Sequence, residues 1–271
     1  MGNTDFFKVE KKEHDIYMID APLRVKSYVV LGKDKAMVID TTNGIGSLME
    51  KVRQITDLPL IVVNTHGHPD HAGGNVEFEE VYLHPADDEV FHQMVTKEFR
   101  QADIEAIMQK DAMPLVDALL DFKEDYIPME DGQIFDLGDR TLRVIHTPGH
   151  TKGCCCLLDE KTGLLFSGDS VSWAETWLYL DYSTDLKTYK TSLEKLEGMM
   201  EQVTGIIPAH TPEEVVPIPA EQITIIKDCV QAVLDGELVG ERFETFAGVG
   251  MLARKGKGAI VYRPEEVGNR T

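Results

Sequence analysis

Leu60-Ile61-Val62-Val63-Asn64-Thr65-His66-Gly67-His68-Pro69-Asp70-His71 carries an apolar run straight into a cluster of titratable side chains. Four consecutive apolar residues of this type read as a strand buried on both faces. Pro69 and Gly67 forbid regular structure throughout the segment from Asn64 to His71. In an extended loop alternate side chains point the same way, so His66 and His68 converge on one cation. Asp70 continues that alternation while His71 faces away, and the two are expected to address a second cation nearby. Imidazole nitrogens and a carboxylate suit a borderline ion such as zinc. Gly67 and Gly73-Gly74 permit a sharply folded backbone. The bland reading, a solvated histidine-rich turn, fits poorly with three histidines and an aspartate placed directly behind a buried strand.

Two metal ions need more ligands than this segment supplies, and further ones stand beyond other short apolar runs. Thr147-Pro148-Gly149-His150-Thr151 follows a strand ending at His146, Ser167-Gly168-Asp169 follows Leu164-Leu165-Phe166, and Pro208-Ala209-His210 follows Ile206-Ile207. Loops at strand ends are where α/β folds build their sites. Taken singly, each of these residues has an ordinary reading as part of a turn; taken with the first cluster they form a set.

The rest of the chain supports an α/β layered class. Apolar and β-branched runs predict strands at 16–19, 28–31, 36–39, 60–63, 81–83, 141–146, 154–158, 164–166, 206–207, 242–246 and 259–262. Helical spacing predicts helices over 45–55, much of 85–120 with a break at Pro114, 186–202 and 220–234. Met94, Met108 and Met113 lie in the second of these, either as ordinary packing or as an adaptable wall over a substrate. Pro212, Pro217 and Pro219 mark an exposed connection. No low-complexity linker interrupts the chain, so one domain over 1–271 is expected, with a helical insertion near 85–121 and an extension over 212–271.

The formal net charge of the 271 residues is −20, from 47 acidic and 27 basic side chains. That field repels nucleic-acid phosphates and anionic lipid and attracts cations. No run approaches the length of a membrane span, and the N-terminal residues carry no secretory signal pattern. Cys154, Cys155, Cys156 and Cys229 form no disulfide framework or C-x-x-C pair, which fits a reduced, cytoplasmic setting. The expected partner is a small-molecule substrate, with neither nucleic acid nor membrane, and a homodimer is allowed.

In order along the chain, Val38-Ile39-Asp40-Thr41, the His66-x-His68-x-Asp70-His71 segment, Thr147-Pro148-Gly149-His150-Thr151, Ser167-Gly168-Asp169 and Pro208-Ala209-His210 resemble the metallo-β-lactamase superfamily. The resemblance implies a four-layer αββα sandwich of two similar halves. It implies His66, His68 and His150 on a first metal, Asp70, His71 and His210 on a second, and Asp169 bridging them. Asp40 would orient the site from behind, and Asp70 is the candidate catalytic residue. Two divalent ions, zinc first with iron or manganese as alternatives, would share a hydroxide that cleaves a small ester, thioester, lactone or related substrate. The glyoxalase II-like and lactonase-like branches are both compatible. The alternatives are a mononuclear iron thiol or persulfide dioxygenase of the same fold, a phosphodiesterase, or a non-catalytic metal-binding protein. The bridging position holds Asp169, where one group of β-lactamases has cysteine, which weighs against antibiotic hydrolysis. Tyr179 and Tyr182 are candidate donors to a developing oxyanion, with packing beside Trp173 and Trp177 as the competing reading.

Overall fold

A computed structural model describes residues 6–211 and 216–267, and the chain divides into two compact units, 1–142 and 143–271. Among the described residues no helix is long and apolar enough to cross a membrane.

The first unit is built on a seven-stranded sheet whose spatial order follows the chain. Lys8–Lys11, Ile16–Asp20, Lys26–Leu31 and Ala36–Ile39 form an antiparallel meander. From Ala36–Ile39 onward the pairing is parallel, through Leu60–Val63 and Tyr82–Leu83 to Ile127–Pro128. A parallel step needs a crossover, and helix Leu48–Ile55 supplies the first. That helix starts three residues later than the apolar spacing suggests, because Ser47 caps it, accepting from the Glu50 amide at 3.2 Å. The Glu77 carboxylate accepts from the Leu48 and Met49 amides at 2.8 and 3.2 Å, a negative charge at the positive end of the helix. Ile45 lies outside the helix and bridges to Leu119.

The 85–121 region is helical as expected, but Pro114 does not break it. Pro114 stands in the first turn of a short helix, Met113–Val116, where its missing amide costs nothing. The interruptions fall elsewhere: between Asp88–Met94 and Lys97–Met108, and at Gln109, which is left-handed at φ 51°. Met108 packs against the Ile45, Ile104 and Leu119 cluster, whereas Met113 is exposed. Arg100 is 1% exposed, the largest fully buried side chain described. Its guanidinium donates to four backbone carbonyls: Val95 at 2.9 Å, Asn43 and Gly73 at 3.0 Å, and Leu120 at 2.9 Å. Burial lowers its pKa to about 10, so it stays charged at neutral pH. The residue thereby ties the helical segment to the loops that leave two parallel strands. Those loops lie so close that a Cβ on Gly44, left-handed at φ 71°, would stand 2.3 Å from the Gly73 carbonyl.

The second unit holds Gly205–Pro208, Leu164–Gly168 and Cys155–Asp159 as sheet neighbours in that order, followed by Thr141–His146, which runs across the boundary between the units. A four-stranded sheet has the order Thr176–Leu178, Gly258–Tyr262, Gly248–Lys255, Glu241–Thr245. Helices Leu186–Glu197 and Gln222–Leu234 join both sheets in one core that includes Leu158, Leu165, Leu193, Ile206, Ile226, Val230 and Ile260. Each such side chain contributes about 1.5–3 kcal/mol on burial. The longest strand, Gly248–Lys255, was not anticipated, because its glycines and charged end hide the alternation. Pro217 and Pro219 are exposed, but Ile218 between them is buried and exchanges two backbone hydrogen bonds with Ile206. Pro212 lies outside the described residues. All four cysteines are buried free thiols.

Replacing Arg100 with Met would leave its carbonyl partners without their donor. Since an unsatisfied buried polar group costs about 1–3 kcal/mol, R100M should lose roughly 3 kcal/mol or more in urea unfolding. A variant within 1 kcal/mol of the parent would show that water replaces the guanidinium.

Candidate metal centre

His66 stands three residues beyond Leu60–Val63, at the carboxyl end of a parallel strand. The backbone does not stay extended past it. His68 is the cap of a one-turn helix, Pro69–Ala72, which therefore contains Asp70 and His71. The expected alternation through Asp70 is corrected by this turn: His71 does not face away, and its ring lies 3.9 Å from that of His66, centroid to centroid. The ligand atoms of His66 and His68, of His66 and His71, and of Asp70 and His71 come within 4.8 Å of each other. His66 and His71 are fully buried and His68 nearly so, while the Asp70 side chain is 31% exposed.

The turn is held from several sides. Asp87, itself buried, accepts from the Gly67 amide at 2.8 Å. A side chain at Gly67 would strike Val90 at 2.9 Å. The His71 carbonyl accepts from the Asn64 amide group at 2.8 Å and from the Thr41 backbone at 2.7 Å. Asn75 donates to Asn64 at 2.8 Å and accepts from Thr41 at 2.7 Å.

Asp40 orders the imidazoles. It follows strand Ala36–Ile39 in a left-handed conformation at φ 63°, uncommon for a residue with a Cβ. One carboxylate oxygen accepts from the Thr65 amide at 2.7 Å, and the other pairs with His71 Nδ1 at 2.8 Å. The Thr65 hydroxyl donates to the same carboxylate at 2.9 Å. Its oxygen then accepts from His66 Nδ1 at 3.2 Å, a tautomer assigned by this network. With Nδ1–H committed on both rings, each turns its Nε2 lone pair outward. His66 Nε2 lies 3.1 Å from His68 Nδ1. Two nitrogens at that distance share either a proton or a cation. Two imidazoles on one tetrahedral zinc stand about 3.3 Å apart, given zinc–nitrogen bonds of about 2.05 Å.

The second unit carries a matching cluster. Its strand ends place His150, Asp169 and His210 together: one Asp169 oxygen lies 3.5 Å from His150 Nε2 and 3.7 Å from His210 Nε2. These separations are too long for good hydrogen bonds and leave the Asp169 oxygen and both Nε2 atoms able to face metal ions. His150 Nδ1 donates to the Trp177 carbonyl at 2.7 Å, again leaving Nε2 as the presented atom. The Ser183 hydroxyl donates to the His150 carbonyl at 2.8 Å. Gly149 is obligatory, because a Cβ there would stand 2.3 Å from the ring of Tyr189. Tyr189 in turn donates to the Ser170 carbonyl at 2.6 Å, beside Asp169, and burial pushes its phenol pKa far up. Tyr179 is engaged elsewhere, hydroxyl to hydroxyl with Thr245 and ring beside Trp177, so the packing reading describes it. Tyr182 is half-buried.

His66, His68, Asp70 and His71 thus cluster in the first unit with Asp40 behind them, and His150, Asp169 and His210 cluster in the second. The supporting residues Thr65, Asn64, Asn75, Asp87, Arg100 and Tyr189 had no readable signal, since each acts through a distant partner. The donor set, three imidazoles with orienting hydrogen bonds and two carboxylates beside imidazole nitrogens, fits a transition-metal ion.

An α/β chain whose strand ends carry oriented histidines and carboxylates has the make-up of a metal-dependent hydrolase. The metallo-beta-lactamase superfamily profile matches residues 20–210, and the chain belongs to that superfamily. The acyl-coenzyme A thioesterase MBLAC2 of Bos taurus is 30% identical over 220 residues, 69% of this chain and 73% of its own length. The atrochrysone carboxyl ACP thioesterase AgnL7 of Paecilomyces divaricatus is 40% identical over 83 residues, 31% of this chain and 24% of its own length. The structure of a metallo-beta-lactamase from Pontibacter korlensis matches with a TM-score of 0.60 at 18% identity, covering 83% of this chain and 99% of that one. That likeness bears out the expected α/β sandwich class.

Two outcomes are expected. Asp40→Ala removes the acceptor for the Thr65 amide and for His71 Nδ1, both buried, so metal-free protein should lose about 3 kcal/mol or more in urea unfolding. Asp103, half-buried, has its carboxyl pushed up to about 6, first by burial and then by the Asp70 charge. A carboxyl raised above its unfolded value adds stability that is complete below the unfolded value and is lost as pH rises through about 6. Chelator-treated protein should therefore weaken between pH 4 and pH 7, and Asp103→Asn should flatten that dependence.

Proposed function

We propose that this chain is a dinuclear metal-dependent thioesterase that hydrolyses small acyl thioesters. The observation that carries the reading is the pair of His/Asp clusters in which each hydrogen-bonded imidazole keeps one nitrogen for a ligand. Relatives named as thioesterases support the substrate class, since the bovine one aligns over most of both chains.

In this reading His66, His68 and His150 would hold one metal, Asp70, His71 and His210 would hold the other, and Asp169 would serve both. When bound, the two ions, zinc in the first instance, would supply a water whose pKa is lowered toward about 7 and polarise the thioester carbonyl. The chain's own residues do the rest. Asp40 and Thr65 fix the tautomers of His71 and His66, and the Trp177 carbonyl fixes that of His150. Asp70, the more open carboxylate of its cluster, is placed to accept a proton at its carboxylate oxygen. A thiolate leaving group has an ordinary pKa near 8.5, so cleavage of a thioester does not demand a strong general acid. A net charge of −20 opposes a nucleic-acid substrate. Four buried thiols suit a reducing compartment, and we place the protein in the cytoplasm.

The test pairs metal analysis with a panel of thioesters, oxygen esters, lactones and phosphodiesters. About two metal ions per chain are expected, with thioesters turned over fastest. His68→Ala should lower turnover by more than the roughly 10–100-fold typical of losing an orienting residue, with an unchanged far-ultraviolet spectrum. One iron per chain with oxygen uptake on thiols would replace this reading by an oxygenase.

A further inference from the structure

One apolar feature beside a proposed ligand is only partly used by the core: Trp177 packs against the Tyr179, Leu252 and Val261 cluster and stays half-buried. Strand Thr176–Leu178 presents the Trp177 carbonyl to His150 Nδ1 at 2.7 Å, so Trp177 is one hydrogen bond from the cluster. Ser183 reinforces that join, donating to the carbonyls of both His150 and Trp177 at 2.8 and 3.4 Å. The Trp177 indole is half-buried, with the Tyr179 ring 5.7 Å and the Phe246 ring 5.8 Å away, centroid to centroid. Phe246 is 57% exposed and Val249 49% exposed, both in the hairpin formed by Glu241–Thr245 and Gly248–Lys255.

The arrangement is built rather than accidental. Tyr179 bonds through its hydroxyl to Thr245 at the hairpin end. Its side chain packs against Gly250, where an added Cβ would meet Tyr179 at 3.0 Å. Charges on the same sheet and the segment before it are paired with each other, Arg242 with Glu244 at 2.8 Å and Arg254 with Glu175. In a chain of net charge −20, exposed aromatic surface held this firmly marks a binding site. Two rings and one valine offer far less than the roughly 800 Å² per partner of a stable protein interface. They match the size of a hydrocarbon chain.

We propose that Trp177 and Phe246 form the apolar wall that takes the acyl group of the substrate beside His150, so that thioesters with longer hydrophobic acyl chains are preferred. The inference rests on the thioesterase reading and specifies its substrate. Burial of one methylene is worth about a fourfold gain in binding, so kcat/KM should climb with chain length until the wall is covered.

The experiment measures kcat/KM of the metal-loaded full chain on acetyl, butyryl, hexanoyl and octanoyl thioesters of coenzyme A and of pantetheine. In parallel, tryptophan fluorescence follows binding of a non-hydrolysable dodecyl thioether of pantetheine. The octanoyl-to-acetyl ratio should exceed about tenfold in the parent, by the same methylene scale. It should collapse in Phe246→Ser and Trp177→Ala and survive in Phe246→Leu, and thioether binding should weaken in Phe246→Ser. Thioester hydrolysis with no dependence on chain length, or with the same dependence in Phe246→Ser, overturns the wall and leaves the thioesterase reading standing. Thioether binding that depends on Phe246 in a protein that cleaves no thioester supports the wall and removes the proposed function. Loss of a dimer in Phe246→Ser, with the chain-length dependence intact, would reassign the face to contact between copies.

Discussion

A single carboxylate sets the first cluster. Asp40 sits in a left-handed backbone conformation that would be costly on its own, by roughly 1–2 kcal/mol, and three buried hydrogen bonds hold it there. Because one of them ends on the Thr65 amide, Asp40 positions the residue immediately before His66. Because another ends on His71 Nδ1, it decides which nitrogen that ring presents. Through the Thr65 hydroxyl it reaches His66 as well. One side chain thus orients two imidazoles and the backbone between them, and local strain is offset by ordering the site.

The second cluster reaches the same end by neutral means. His150 is oriented by a backbone carbonyl rather than a carboxylate, and it shares the nearby Asp169 charge with His210. The difference comes from position. In the first unit the ligand loop folds back on the strand end beside it, where a carboxylate side chain is within reach. In the second unit the ligand loop lies against strand Thr176–Leu178, whose backbone is the nearest acceptor. Glycines appear where backbones or rings meet: Gly44 against Gly73, Gly149 against Tyr189, Gly250 against Tyr179.

Arg100 serves a different purpose from the charges of the site. Its hydrogen bonds all go to carbonyl oxygens, and the Asp121 and Glu98 charges act on it without bonding to it. Guanidinium suits this role because it offers five donors in a fixed plane and remains protonated even when burial lowers its pKa. The helical segment it belongs to is thereby fastened to the loops that follow Asp40 and His71.

The sequence by itself determined the α/β class, most strands, and every residue of the two clusters. Strands that end beside a clustered side chain leave a local record: an apolar run, then a histidine or aspartate within a few residues. The two-residue period was not enough to orient Asp70 and His71, because Pro69 starts a helical turn that pattern reading took as extended chain. Pro114 misled in the opposite sense, since a proline in the first turn of a helix costs nothing there. Only the tertiary structure decided which nitrogen each imidazole presents, that Arg100 and Asp87 hold the loops, and that Phe246 stands beside Trp177. Those choices depend on partners as many as 69 positions away, as with Trp177 and Phe246. Hydrogen bonds and ring contacts between such distant residues leave no periodic trace in the chain that makes them.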